Sequence, residues 1–257
     1  MHIPSWVLTA VLVSQAAGHG YVQQILVHST GQYIETWNPY KDPQKNIEKI
    51  TRKFKDNGPV TDGLFETDAI TCNIAKDGNH NVPVNKTAAI PAGAKITFLW
   101  TDWQSDHPGP IMTWLAKCPG QCKDFKGNTG NVWVKIHQAG YDANLNPPWA
   151  SKRLPTQNST WPVTLPSTIE PGEYILRHEI LGLQRTNTNG KLAQFYPACH
   201  QITITGNGKT KLPTGVALPG AFKYNDPGIF LEYRDISATN PYTPPGGPVW
   251  GDNGWHA

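Results

Sequence analysis

The chain has 257 residues, of which only 16% are charged, with a formal net charge of +3 at pH 7 and with 24 Gly and 23 Pro. An ordinary soluble domain carries about 25% charged residues, so this balance excludes a coiled coil and a charge-rich disordered chain. The weak positive charge, without any basic run, also excludes counterion-driven binding to nucleic acid. Ten Trp, nine Tyr and seven Phe supply the large apolar groups of a core. The composition therefore describes a turn-rich domain of short strands with an uncharged partner.

In chain order, residues 6–13 are a short apolar run followed by Ser14, Gln15, Ala16, Ala17 and Gly18. That is the pattern of an export signal (1–18) cleaved after Gly18, although no Lys or Arg precedes the run. The run is too short to span a bilayer, and no later segment reaches the ~20 apolar residues of a membrane helix. The mature chain is expected to be extracellular, to start at His19 and to have no membrane partner. A long insertion lies between Tyr40 and Asn57, and its residues 46–54 are short, basic and helix-like.

Cys72, Cys118, Cys122 and Cys199 are an even set in an exported chain, so two disulfides are expected and three connectivities are possible. Cys118 and Cys122 bracket a Pro-Gly-Gln turn that lets neighbours pair, which leaves Cys72 with Cys199. A zinc site is the other reading of clustered cysteines, but no second CxxC or HxxxH lies nearby. Asn85 and Asn158 head N-x-S/T sequons, meaningful in a secreted chain and expected on its surface. Apolar alternation of the strand kind occupies residues 95–101, 132–136, 161–165, 174–180 and 201–205, separated by Gly, Pro and Asn clusters. The region after Asp226 carries no separate cysteine-rich module, although a Pro- and Gly-rich tail starts at Asn240. The prediction is one all-β domain over 19–257, an antiparallel β-sandwich of the immunoglobulin or fibronectin-III kind with long loops.

Cleavage before His19 would create a residue with both a primary amine and an imidazole, able to chelate through its own N and Nδ1. A second imidazole completes three neutral nitrogens, a set that suits copper with open positions better than the tetrahedron zinc prefers. The α-amino group titrates near ~8, so it yields its proton to a metal at neutral pH. His107, in the stiff segment Asp106-His107-Pro108-Gly109-Pro110, is the candidate second ligand. His28, His80, His137, His200 and His256 lie in polar or ordinary contexts and are expected to face solvent. His178 differs: strand alternation puts it on the face of Tyr174, Leu176 and Ile180, so burial is predicted. If residues 193–199 are extended, Gln194 and Tyr196 point the same way and Phe195 the other.

Several motifs now stand in one order: HGYVQ at His19, NGPVTD, TCN at Cys72, DHPGP, the cysteine pair after TWLAK, NSTWPVTLPSTIEPGEYILRHEI, QFYPAC and DPGI. In these the chain strongly resembles the fungal lytic polysaccharide monooxygenases of auxiliary activity family 9, once glycoside hydrolase family 61. The resemblance implies a β-sandwich with a flat copper face and one copper ion held by His19, through amine and imidazole, and by His107. It implies Tyr196 as an axial phenol near the metal, and His178 with Gln194 as the pair that hydrogen-bonds oxygen species there. It further implies oxidative cleavage, at C1 or C4, of cellulose or a related β-1,4-glucan by a monomer using O2 or H2O2 and an external electron donor.

Aromatic rings stack on the apolar faces of sugars, and Tyr242 resembles the family's substrate-facing tyrosine, with Trp250 and Tyr33 as further candidates. Two departures stand out. The insertion between Tyr40 and Asn57 falls where the family varies, and Gln184 occupies a position where relatives often carry His. No appended carbohydrate-binding module is visible. The alternative from another class is a secreted copper- or glycan-binding sandwich without catalysis, which would not need His178, Gln194 and Tyr196 together. A hydrolase would need two facing carboxylates, and Glu179 alternates away from His178 with no evident partner.

Overall fold

The computed structural model describes residues 19–45, 47–103 and 106–256; the expected signal segment lies outside them. Eleven strands carry the described chain: β1 (Val22–Val27), β2 (Gln32–Glu35), β3 (Ala88–Pro91), β4 (Lys95–Trp100), β5 (Ile111–Lys117), β6 (Val134–Ala139), β7 (Thr160–Thr164), β8 (Gly172–Gly182), β9 (Gln194–Thr205), β10 (Val249–Gly251) and β11 (Gly254–His256). Four of them form one sheet in the order β2-β1-β4-β7, and five form the facing sheet in the order β3-β9-β8-β5-β6. All pairs are antiparallel except β3 with β9, and β10 and β11 make a separate hairpin.

The sheets meet through a core to which one contributes Val22, Ile25, Ile96, Phe98 and Trp161 and the other Ile111, Leu115, Leu176, Ile180 and Ile202. A second core lies on the outer face of the five-stranded sheet, where Met112, Trp114, Ile175, Leu181 and Phe195 pack under Phe65, Ile70, Trp133, Phe222 and Ile229 from the segments outside the sheets. That sheet is buried on both faces, so β5 and β8 read as nearly continuous buried runs, as a doubly covered strand must.

Every stretch of predicted alternation overlaps a strand, and residues 201–205 prove to be the end of a twelve-residue β9 that begins at Gln194. Residues 47–54 depart from expectation. The only helix there, α1 (Asp42–Lys45), precedes them. Thr51 instead bridges His200, and the buried Arg52 donates to the carbonyls of Lys126 (2.8 Å) and Phe125 (2.5 Å). These ties to β9 and to a loop override the local helical pattern. Disulfides join Cys72 to Cys199 and Cys118 to Cys122. Asn85 and Asn158 are both exposed.

Candidate metal centre

Three separated segments meet at one end of the sandwich. His19 lies three residues before the start of β1, His107 sits in the loop from β4 to β5, and Tyr196 is the third residue of β9. Their rings form a triangle: 5.7 Å from His19 to His107 at 77°, 5.8 Å from His19 to Tyr196, and 6.3 Å from His107 to Tyr196. Trp103 stands edge-on behind them, 5.7 Å from His107 and 5.0 Å from Tyr196.

The loop carrying His107 is pinned on both sides. Ser151 donates its hydroxyl to the His107 carbonyl at 2.6 Å and its amide to the Gly109 carbonyl at 3.1 Å. Leu183 and Leu181 of the β8 end donate to the carbonyls of Pro108 and Pro110. Gly109 lies against this end so closely that a Cβ would meet the Leu181 oxygen at 1.7 Å. The His107 ring is nearly buried, at 7% exposure, and its Nδ1 faces Asp106 Oδ1 at 2.6 Å. That partner occupies Nδ1 and leaves Nε2 as the ring nitrogen free to bind, since an outer hydrogen bond selects which nitrogen serves as ligand. Burial, then the neighbouring His107, lowers the His19 imidazole pKa, which favours the neutral, metal-binding form.

Among the described residues no three His, Cys, Asp or Glu side chains gather into a metal-holding group. Two imidazoles are therefore the whole side-chain nitrogen set, and a third donor has to come from the backbone. The nitrogen of residue 19 is next to its own imidazole and qualifies once it is a free amine. Two imidazoles and a phenol, joined by such an amine, would match copper's preference for nitrogen with open positions rather than the four-ligand cage zinc prefers.

Tyr196 is buried at 3% exposure, and burial, then Asp106, raises its phenol pKa well above the ordinary value. Its hydroxyl donates to Gln194 Oε1 at 2.7 Å. The second donor to that oxygen is Gln184 Nε2, also at 2.7 Å. His178 does not join this group. It faces Ala198 of β9, whereas Gln194 faces Gly182, some four residues or roughly 14 Å further along the strand. The His178 ring lies flat on Phe98, centroids 3.8 Å apart and 5° from parallel. Its Nδ1 meets Thr113 Oγ1 at 2.8 Å, and burial holds its pKa well below the usual range. The predicted burial of His178 is correct and the pairing with Gln194 is not: alternation fixed its face, and register carried it down into the core.

Two further histidines depart from expectation. His200 is fully buried with Nδ1 at 2.9 Å from Thr51 Oγ1, and His137 accepts from Trp161 Nε1 at 2.9 Å. Of the aromatic candidates, Trp250 is 5% exposed and belongs to the core between the sheets, so it presents no ring to a substrate. Tyr33, on β2, is exposed but pairs with Leu26 of β1, about seven residues or ~24 Å along the chain from His19. Tyr242 is half-buried, its ring edge-on to Trp149 at 4.8 Å and its hydroxyl bound to the Gly228 carbonyl at 2.8 Å. It packs the tail against the domain. Glu179 is fully buried beside Arg177, bound to its Nη2 at 2.7 Å and to Trp114 Nε1 at 2.9 Å. That pairing occupies it structurally and removes it as a hydrolytic acid.

Sequence reasoning passed over Trp103 and Ser151. Trp103 stands four residues before His107 and could have been suspected from that spacing; Ser151 carries no local signal. Asn57, whose Nδ2 donates to the His19 carbonyl at 3.0 Å, heads the NGPVTD motif.

Residues 19–242 match the family model described as Auxiliary Activity family 9, formerly GH61. Among curated relatives, a protein of Gloeophyllum trabeum named AA9 family lytic polysaccharide monooxygenase A is 40% identical over 97% of this chain and 77% of its own length. A Botryotinia fuckeliana protein named AA9 family lytic polysaccharide monooxygenase F is 37% identical over 97% and 99%. One named AA9 family lytic polysaccharide monooxygenase C from Geotrichum candidum is 39% identical over 98% of this chain, which spans 45% of that relative's length. A solved glycoside hydrolase family 61 member from Hypocrea jecorina superposes with a TM-score of 0.77 at 32% identity, covering 90% of this chain and 100% of its own. The chain belongs to auxiliary activity family 9.

Proposed function

We propose that the chain is a secreted, copper-dependent lytic polysaccharide monooxygenase that cleaves β-1,4-glucans such as cellulose oxidatively, at C1, C4 or both. It would draw on O2 or H2O2 and an external electron donor, and act as a single catalytic domain and a monomer once residues 1–18 are removed. The observation that carries this reading is the meeting of His19, His107 and Tyr196 within a 5.7–6.3 Å triangle of rings.

His19, through its amine and imidazole, and His107, through Nε2, would hold the metal. Bound copper supplies one-electron redox chemistry and an open position for the oxygen co-substrate. Asp106 orients the His107 ring, and Ser151 fixes its backbone. Tyr196, kept neutral by burial, fills one side without offering an anionic ligand. Its hydroxyl and the Gln184 amide both donate to Gln194 Oε1, leaving the Gln194 NH2 as the group that would donate to an oxygen co-substrate there. Gln184 thus takes the place expected of His178 and contributes an amide hydrogen bond in place of a titrating imidazole.

Product analysis after incubation with cellulose and a reductant tests the reading. Oxidised oligosaccharides that vanish with a chelator and in His107→Ala are expected. Products without C1 or C4 oxidation, despite copper binding, would leave a copper-binding sandwich without catalysis.

A further inference from the structure

A charged side chain lies beside the metal centre that neither the nitrogen donors nor the pair of glutamines uses. Asn57 Nδ2 donates to the His19 carbonyl at 3.0 Å, and the residue before it, Asp56, is held by its own turn. Asp56 Oδ1 accepts from the Gly58 amide at 2.8 Å, and the turn is so tight that a Cβ on Gly58 would meet this oxygen at 2.9 Å. Asp56 and Gly58 line a small pocket of about 10 Å³ together with Gly20, Asn73 and Tyr196. The same carboxylate acts on the His19 imidazole, where with Asp106 it opposes the lowering caused by burial and by His107. These observations agree in putting Asp56 beside His19 and Tyr196.

Lys55 Nζ stands 4.0 Å from Asp56 Oδ2, with both side chains about half exposed. So loose a surface pair leaves most of the carboxylate's field in place. The groups that would hold copper, two imidazoles and an amine, are all neutral, so they bring no charge to offset that of the ion. Coulomb energy is proportional to charge, and a fixed carboxylate therefore favours a doubly charged ion over a singly charged one. Asp106 is the other carboxylate acting on His19, but its Oδ1 is engaged by His107 Nδ1 at 2.6 Å, so replacing it would disturb a ligand ring directly. Asp56 touches neither imidazole through a hydrogen bond and isolates the effect of charge.

We propose that Asp56 sets the redox balance of the metal centre, its fixed carboxylate favouring Cu(II) over Cu(I) and so lowering the one-electron potential of the site. The inference rests on the copper reading given above. The electron comes from the external donor, and no bond to Asp56 forms or breaks. Asp56→Asn is the discriminating variant: an Asn oxygen accepts the same Gly58 amide and keeps the turn, while the charge is lost. Asp56→Ala removes both.

On the mature protein, the Cu(II) and Cu(I) dissociation constants are measured by competition with chelators of known affinity, and the midpoint potential by redox titration. Proton competition at His19 weighs on both ions alike and cancels from the ratio of the two constants. In Asp56→Asn the preference for Cu(II) is expected to fall about threefold, which raises the potential by about 30 mV at about 59 mV per decade. Asp56→Ala should shift the ratio by the same factor, whatever it does to the melting temperature. An unchanged or opposite shift in Asp56→Asn overturns the proposal, as does a shift confined to Asp56→Ala, which would assign the effect to the turn. Failure of the wild-type protein to bind copper at all would instead defeat the reading on which the inference rests.

Discussion

Gly109 constrains the metal centre more tightly than any side chain in it. Its Cα faces the Leu181 carbonyl with space for a hydrogen and nothing larger, while its own carbonyl is held by Ser151. His107 lies two residues before it. Gly109→Ala must therefore push the loop off the β8 end, and overpacking of this kind costs about 1–3 kcal/mol. The expected outcome is a protein that still folds but binds copper at least tenfold more weakly, read by calorimetric titration against the melting temperature of the metal-free chain. A similar economy governs Gln194, whose oxygen receives two donors and whose amide is thereby left to point elsewhere. Neither constraint can be seen in a list of residue types: Gly109 depends on segments some forty to seventy positions away, and Gln194 on the turn that brings Gln184 back beside it.

Among the elements, β8 shows how far alternation reaches. It correctly sets His178 with Tyr174, Leu176 and Ile180 on the inner face, and Arg177 and Glu179 on the other. It could not show that the outer face is also buried. That depends on Phe222 and Ile229 returning more than forty residues later to cover it. Arg177 and Glu179 consequently form a fully buried ion pair, with Arg177 also donating to the carbonyls of Ile70 (2.9 Å) and Thr71 (3.0 Å). Glu179→Gln should leave the guanidinium uncompensated and cost about 3–5 kcal/mol, measured by urea unfolding. A loss below about 1 kcal/mol would show that the carbonyls alone suffice. Short edge strands such as β2 and β3, four residues each, were not predicted, because four residues carry too few alternations to stand out from loop.

Over the whole molecule, His137 and His200 set an acid limit. Burial lowers the His137 pKa to about 4 and that of His200 to about 3, against about 6.5 in an unfolded chain. The unfolded state therefore binds protons that the folded state refuses between those values. The stability these groups contribute is complete above pH 6.5 and is lost as pH falls through 4 toward 3. The melting temperature of the metal-free chain should fall steeply over that range, and His200→Asn, which cannot titrate, should flatten the fall. A flat profile from pH 7 to 4 would contradict the assignment. Class and ligand candidates were legible because motif order and the His19 position carry them. The company kept by Gln194 was not, since it is set by the register of β8 on β9 and by the turn that brings Gln184 back.

The loop layer over the five-stranded sheet has one more consequence. In many β-sandwiches, surface loops open locally at little cost while the strands stay paired. Here Phe65, Phe222 and Ile229 are themselves fully buried, so those loops cannot loosen without exposing a core. The loop layer and the sheet beneath it belong to the same cooperative unit, and the two should unfold in a single transition.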